Sequence, residues 1–316
     1  MITCKSPRKV LKLAHELAQQ FLPDYGSKFS RQDFTRPQLF ACLVVREHQK
    51  KSYRGVEALL EDAPEWRADI GLARTPDHNT LCRAFGEWVK PGLIKGMLDQ
   101  TAEWARQRGM LRGGRRKPLS IDSSMFESHH VSRHFEKRCR QTELKRSKKQ
   151  REKHANTRRR QVVRRLPKLS LAVASSCHLI LAARATTGAG SDHPHFETVL
   201  FDARRRADVK CVVADAGYDS ERNHCIARDE MGVRSIIPPS VGRPTSKRPS
   251  ARHRRNMYHR FKRNADKTTY GQRWQSETVN SMVKRNLGSA LRALTSRRRS
   301  YELLLRAVTH NLMLLC

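Results

Sequence analysis

The hydrophobic pattern of the chain changes its period near residue 112, and this change strongly limits the architectures available to it. Before that point, apolar residues recur every three or four positions, which is the period of an α-helix. From residue 119 onward, apolar and polar residues alternate, which is the period of a β-strand. The basic, glycine-containing stretch 112–118 separates the two patterns. We therefore expect an all-helical N-terminal domain over 1–111 and a sheet-containing domain over 112–316.

The first domain is predicted to be a set of short helices. Val10, Leu13 and Leu17 recur at helix spacing, and Pro76 follows a capping threonine just before another apolar helix pattern. This arrangement is typical either of a helix-turn-helix module that reads DNA or of a plain helical bundle. Residues 1–110 hold 18 basic and 13 acidic residues, so local charge does not choose between the two.

The second domain is predicted to be α/β, because strands come first and then alternate with helices. The apolar run that ends at Asp215 is typical of a strand in the interior of a sheet. A basic loop is expected over 242–267. The predicted strands cover about 119–123, 169–173, 179–185, 209–215 and 234–238, and the predicted helices about 195–206, 219–231, 269–288 and 298–315.

The net charge of +34 predicts a polyanionic partner, with 64 Lys and Arg against 30 Asp and Glu. Residues after 110 contribute 46 of the basic residues and 17 of the acidic ones. The stretch 133–168 alone carries 16 Lys and Arg against three Glu, so we expect a basic insertion that contacts the phosphate backbone. Charge alone leaves open a protein that binds nucleic acid without chemistry.

Nothing in the sequence predicts a membrane protein or an exported one. No stretch has 18 continuous apolar residues, and no charged-then-apolar signal peptide opens the chain. The eight cysteines form no C-x2-C pair, which argues against a zinc knuckle and favours reduced thiols. We expect a cytoplasmic protein that associates with the nucleoid.

Three carboxylates are candidates for chemistry because of the elements that carry them. Asp122 lies in the first predicted strand, Asp215 ends the fourth, and Glu277 lies on a late helix. If the two strands are neighbours, the aspartates lie side by side and the helix can bring the glutamate to them. Three such carboxylates would repel one another without a cation, whereas hard oxygen ligands suit Mg²⁺. Two such ions can drive an in-line displacement at phosphorus.

The predicted helix that carries Glu277 also carries Tyr270, Arg273 and Lys284, and the spacing of these four residues matches the turns of a helix. Seven helical residues turn through about 700°, so Tyr270, Glu277 and Lys284 would form one stripe on a continuous helix. Arg273 would lie about 60° from that stripe. One carboxylate with two cations and a phenol is a poor pattern for a core and suits a surface that holds a metal ion and phosphates.

These motifs resemble the DDE transposases of bacterial insertion sequences, specifically the group with a Tyr-x2-Arg-x3-Glu-x6-Lys motif. The motif spans Tyr270 to Lys284, and Asp215-Ala-Gly-Tyr precedes it. Residues 52–56, 76–81 and 190–194 resemble further segments of that group. The resemblance implies an RNase H-like mixed sheet with flanking helices. It also implies a metal-binding triad of Asp122, Asp215 and Glu277, with Arg273 and Lys284 contacting transposon-end DNA and Tyr270 placing the strand.

The function implied is that of a transposase that binds the terminal inverted repeats of its element. It would hydrolyse a phosphodiester and join the 3′-hydroxyl to target DNA with two Mg²⁺ ions, for which Mn²⁺ can substitute. Its partner is double-stranded DNA, and two ends imply a homodimer in the synaptic complex. Two alternatives remain at this point: an RNase H-like nuclease without strand transfer, and a non-catalytic DNA-binding protein derived from a transposase.

Overall fold

A computed structural model gives the architecture of the protein. It describes residues 3–29, 31–111, 117–128, 166–186, 193–240 and 249–316, together with Gln141 and Gly188. The predicted basic insertion at 133–168 lies outside the described residues except at Gln141 and at its last three positions. Residues 190–192 of the segment 190–194 also lie outside them.

The N-terminal region is helical, as the apolar period predicts. Side chains of Ser6, Thr35, Ser52 and Asp77 each accept a hydrogen bond from the backbone of the helix that they precede. Thr35 forms a reciprocal capping box with Gln38. The six helices are α1 (Pro7–Gln19), α2 (Arg36–His48), α3 (Tyr53–Asp62), α4 (Pro64–Asp69), α5 (His78–Trp88) and α6 (Pro91–Gln107).

A mixed five-stranded sheet follows, with the order β4-β3-β1-β5-β6. Its strands are β1 (Leu119–Met125), β3 (Lys168–Ala174), β4 (Ile180–Thr186), β5 (Cys211–Ala214) and β6 (Arg234–Ile236). β3 runs antiparallel to both β1 and β4, whereas β5 is parallel to β1 and to β6. A separate two-residue pairing joins β2 (Glu127–Ser128) to β7 (Ala290–Leu291). The predicted neighbourhood of the first and fourth strands of the main sheet is confirmed.

Helices flank this sheet, and the expected RNase H-like architecture is confirmed. They are α7 (Phe196–Arg206), α8 (Glu221–Cys225), α9 (Arg252–Lys262), α10 (Lys267–Gly271), α11 (Trp274–Leu287) and α12 (Ser296–Leu315). A 3₁₀ turn covers Ala216–Tyr218, and a π-helical turn, Ile226–Glu230, extends α8.

Two sequence predictions in this region are wrong. Part of the expected loop 242–267 is the helix α9, whose first N–H groups, from His253 and Arg254, donate to the carboxylate of Glu221. This cap comes from a distant residue, so the local sequence does not reveal it. The single helix expected over 269–288 is two helices, α10 and α11. At the join, Arg273 and Ser276 each donate a backbone hydrogen bond three residues back rather than four.

The apolar core runs without interruption from the N-terminal helices to the sheet. One cluster includes Val10 and Phe40 from the helices, Leu171 from β3 and Leu305 from α12. α12 contacts α2, α6 and β4, which explains why it is buried on nearly all sides. Within the part of the chain that the structure describes, no helix combines the length and the apolarity needed to cross a membrane.

Candidate active site

Asp122 and Asp215 lie next to each other at the centre of the sheet. In the parallel pairing of β1 with β5, Ile121 is opposite Ala214, and the two aspartates are the next residue on each side. Burial raises the pKa of Asp122, and the negative charge of Asp215 raises it further. The hydrogen bonds from the Ser123 backbone and from Asn280 act in the opposite direction. The aspartates are therefore close enough for the charge of Asp215 to disfavour the charged form of Asp122.

The turn after β5 fixes the carboxylate of Asp215. Its Oδ1 accepts a hydrogen bond of 2.9 Å from the backbone N–H of Gly217. A Cβ on Gly217 would come within 3.0 Å of that same oxygen, so this close approach favours glycine. Tyr218 is fully buried beside Phe196, with ring centroids 6.1 Å apart, and anchors the end of the turn. The Asp-x-Gly-Tyr segment thus orients the side chain of Asp215.

α11 lies across β1, and hydrogen bonds between side chains join the two elements. Ser120 Oγ lies 2.7 Å from Ser276 Oγ, and Asn280 Nδ2 donates to Asp122 Oδ2 at 3.0 Å. Ser120 and Asp122 are two apart on a strand and so share one face, and Ser276 and Asn280, four apart on a helix, also share one face. Each pair is separated by about 6–7 Å along its element. These two contacts therefore set the register of α11 on β1.

Asn280 is a site residue that sequence reasoning missed. It is only 5% exposed, and its Oδ1 is buried without a hydrogen-bond partner among the described residues. Buried polar atoms without partners are rare in folded proteins and call for an explanation. An available signal was the polar residue three positions after Glu277, between the buried Val279 and Val283.

Glu277 lies at the edge of this face and does not join the aspartates. It is one residue beyond Ser276, which turns it about 100° away from the contact with β1. Its half-exposed carboxylate forms an ion pair of 2.6 Å with Arg273. The carboxylate oxygens of the three predicted ligands, all of them in the described part of the chain, do not all lie within 4.8 Å of one another.

Arg273 and Tyr270 lie on the side of the aspartates where α10 meets α11. The positive charge of Arg273 lowers the pKa of Asp122, although burial outweighs this effect. Burial raises the pKa of Tyr270; Arg273 opposes this effect, and the charge of Asp215 adds to it. The ring of Tyr270 packs edge-on against Phe261, with centroids 5.0 Å apart. The phenol is therefore held beside both Arg273 and Asp215.

Lys284 lies farther along α11, towards the end of β1. Its Nζ is 5.2 Å from the centre of the Phe126 ring. Burial lowers the pKa of Lys284, while the charges of Glu127 and Asp122 oppose this shift. The structure thus brings Tyr270, Arg273 and Lys284 around the two aspartates, with Glu277 paired to Arg273 at the rim.

The donor set fits a divalent cation that prefers oxygen ligands. Asp122 and Asp215 present adjacent carboxylates, and neither forms an ion pair with a lysine or an arginine among the described residues. The unpartnered Oδ1 of Asn280 is a further oxygen beside Asp122. Such a set matches the oxygen ligands of Mg²⁺ or Mn²⁺ and lacks the sulfur or nitrogen that zinc favours.

Comparison with known proteins adds an independent observation. A family model described as "Transposase DDE domain" matches residues 113–312, which begin just before β1 and end inside α12. The match includes Asp122, Asp215 and Glu277 as well as the basic residues of α11. No curated protein and no solved structure gives a match.

Proposed function

Since that match covers more than half of the chain, the protein belongs to the family of transposases with a DDE domain, and we propose that it mobilises a bacterial insertion sequence. Family membership makes it a DNA-binding enzyme that cleaves DNA and transfers strands with divalent metal ions. The proposal adds that it recognises the terminal inverted repeats of its element. The Tyr-x2-Arg-x3-Glu-x6-Lys spacing in α10 and α11 supports placing it in the group with that motif.

We assign the metal-binding role to Asp122, Asp215 and Glu277. The observation that carries the assignment of the two aspartates is the parallel register of β1 and β5, which makes them neighbours without a cationic partner among the described residues. The assignment of Glu277 rests on its place in the Tyr-x2-Arg-x3-Glu-x6-Lys motif. Two Mg²⁺ ions, when bound, would supply an activated oxygen nucleophile and stabilise the leaving oxygen at phosphorus. Asn280 is proposed as a positioning residue, because it holds Asp122 Oδ2 and is itself buried.

In this scheme Arg273 and Glu277 exchange partners when the site is occupied. Their 2.6 Å ion pair neutralises both side chains in the free protein. A rotation of the half-exposed Glu277 side chain would bring its carboxylate towards the aspartates. Arg273 would then be released to donate to a phosphate oxygen of the DNA, as a planar guanidinium does well. Lys284 and Tyr270 are proposed to contact the same DNA end.

Recognition of the end sequence is proposed to involve the N-terminal helices. A cleft of about 570 Å³ lies beside the start of α5, and its lining includes Arg31, Arg36, Arg74 and Arg83 as well as Asp24, Asp33, Asp77 and Glu87. Asn79 is exposed in the first turn of α5, where a side chain can reach a base edge. Arg83, which forms no ion pair among the described residues, would bind a phosphate, whereas Arg74 pairs with Asp33. Asn79 would read sequence. Arg83→Ala should then lower the slope of log affinity against log salt by about one.

The experiment that tests the proposed function is cleavage and strand transfer on DNA that carries the element's own terminal repeats. With Mg²⁺, Asp122→Asn, Asp215→Asn and Glu277→Gln should each lose roughly a thousand-fold or more in both steps, because several kcal/mol of transition-state stabilisation disappear. DNA binding by gel shift should remain. Asp208→Asn is the matched control, since this exposed aspartate pairs with Lys210 away from the site.

Near-normal cleavage by any of the three variants would remove that residue from the proposed triad. Cleavage without joined products would contradict strand transfer at these ends. Sedimentation with and without end DNA tests the proposed homodimer, which should form when two ends are brought together.

A further inference from the structure

A second cluster of potential metal ligands lies on α8 and α9, away from the two aspartates. Glu221 and Cys225 are four residues apart on α8, and His253 is the second residue of α9. One ligand atom from each residue lies within 4.8 Å of the other two. In the part of the chain that the structure describes, no other three His, Cys, Asp or Glu side chains meet in this way.

The cations that act on the carboxylates of this cluster do so at longer range, as Arg254 does on Glu221 and Arg252 on Asp229. The sequence has 64 Lys and Arg for 30 Asp and Glu. Among the described residues, neither Glu221 nor Asp229 forms an ion pair with lysine or arginine. Glu221 accepts only backbone N–H groups, and Asp229 Oδ2 lies 2.9 Å from His253 Nε2. In so basic a protein, this is a local site where a small cation is favoured.

The contact between His253 and Asp229 is of the kind that orients a metal-binding histidine. A ligating imidazole commonly donates its other ring N–H to a carboxylate, which fixes the tautomer and the ring orientation. With Nε2 donating to Asp229, the ring of His253 would offer its other nitrogen to an ion. The ring is buried, so its position is set by packing, whereas Cys225 is partly exposed and leaves a route for entry.

We propose that Glu221, Cys225 and His253 bind one divalent cation of the zinc class, with water as a fourth ligand. Sulfur, nitrogen and oxygen donors together select such an ion over Mg²⁺. Binding would release the thiol proton of Cys225 to solvent and leave a thiolate–metal bond. Because metal–ligand distances are about 2.0–2.3 Å, the three side chains would move closer together by small rotations.

The ion would fasten α8 to α9 near the active site. α9 also carries Phe261, whose ring packs against Tyr270. Occupation would therefore stiffen the support of Tyr270 without placing the ion in the reaction. In the competing account, Glu221 serves only as a cap for α9, and no ion binds.

Cobalt spectroscopy on the purified full-length protein separates these two accounts. Co²⁺ is added in the presence of excess Mg²⁺, which occupies sites made of oxygen ligands. We expect one Co²⁺ per chain with the near-ultraviolet absorption of a thiolate–cobalt bond, and its loss when one equivalent of Zn²⁺ is added. Zn²⁺ should also raise the melting temperature of the wild-type chain.

Variants then locate the ion. Cys225→Ser should abolish the thiolate–cobalt absorption, and His253→Gln should weaken Co²⁺ binding at least tenfold, with circular dichroism confirming that each variant is folded. Cys82→Ser is the matched control, because that partly exposed thiol lies on α5 next to Arg298. Absence of the absorption in the wild type, or its persistence in Cys225→Ser, overturns the proposal.

Discussion

Two pairs of closely spaced carboxylates in the described part of the chain have opposite electrostatic surroundings. Glu47 of α2 and Glu302 of α12 are fully buried, and both accept hydrogen bonds from the equally buried Arg306, at 3.0 and 2.8 Å. Arg46 adds a second cation at 2.5 Å from Glu47. Asp122 and Asp215, in contrast, form no ion pair with a lysine or an arginine among the described residues.

The difference in charge compensation suggests a different role for each pair of carboxylates. Arg306 also donates to the backbone oxygens of Gly288 and Ala290, so the buried cluster fastens the end of α11 to α12. Its charges are compensated within the fold, and it can contribute to structure alone. The aspartate pair is left uncompensated in a chain of net charge +34, which makes the site repulsive until a cation arrives. The first pair is compensated within the fold, and the second is the pair to which we assign the chemistry.

The largest effect on stability should come from breaking the compensated pair. Arg306→Met would remove the cation shared by two buried carboxylates and leave Glu302 without an ion pair among the described residues, which costs about 3–5 kcal/mol of unfolding free energy. Urea unfolding measures this loss. Arg297→Met is the control on the same helix, because Arg297 is exposed, and its unfolding midpoint should not change. A loss below about 1 kcal/mol for Arg306→Met would contradict the structural role of the cluster.

A smaller effect, on catalysis rather than folding, is expected at the uncompensated pair. Asn280→Ala removes the 3.0 Å hydrogen bond that orients Asp122, and loss of such a support typically costs 10–100-fold in activity. The loss should appear in kcat and be eased by higher Mg²⁺, with affinity for end DNA unchanged. Asn286→Ala serves as the control, because this partly exposed asparagine of α11 contacts Lys5 and not Asp122. Equal losses in the two variants would mean that Asn280 only stabilises the helix.

The smallest effect is a pH-dependent gain in stability. Burial raises the pKa of Asp122, so the folded state binds its proton more tightly than the unfolded state. This contribution is complete below the ordinary aspartate pKa of about 3.9 and is lost as pH rises through the raised value. Without metal, Asp122→Asn should match the wild type near pH 3–4 and be more stable than the wild type at pH 7. A wild type that is more stable than Asp122→Asn at pH 7 would contradict the raised pKa of Asp122.

The proximity of Asp122 and Asp215 could be predicted because the order of the strands and their hydrophobic patterns were enough to place both residues. Alternation placed Asp122 on a strand, and a short apolar run placed Asp215 at the end of another. The buried cluster could not be foreseen, since Glu47 and Glu302 meet only through tertiary packing between α2 and α12.

The remaining errors have similar physical causes. α9 is rich in Arg and has few apolar residues, and its N-terminal cap is supplied by Glu221, which is 32 residues from His253. The join between α10 and α11 follows Gly271, a residue that favours a helix end. The spacing of the motif was interpreted on one continuous helix, and this interpretation overlooked the glycine. Asn280 stayed hidden because its role depends on the register of α11 on β1. The boundary at 111–112 and the triad roles remain predictions.

The most direct test of the account is whether Asp122 contacts a metal ion during catalysis. Asp122→Cys replaces a hard oxygen ligand with a softer sulfur, which ligates Mg²⁺ poorly and Mn²⁺ better. Strand cleavage on end DNA should therefore be lost in Mg²⁺ and recovered at least partly in Mn²⁺, while Asp122→Ala remains inactive in both. Cleavage by Asp122→Cys at the wild-type rate in Mg²⁺, or equal inactivity of both variants in Mn²⁺, would contradict a metal site at the aspartate pair.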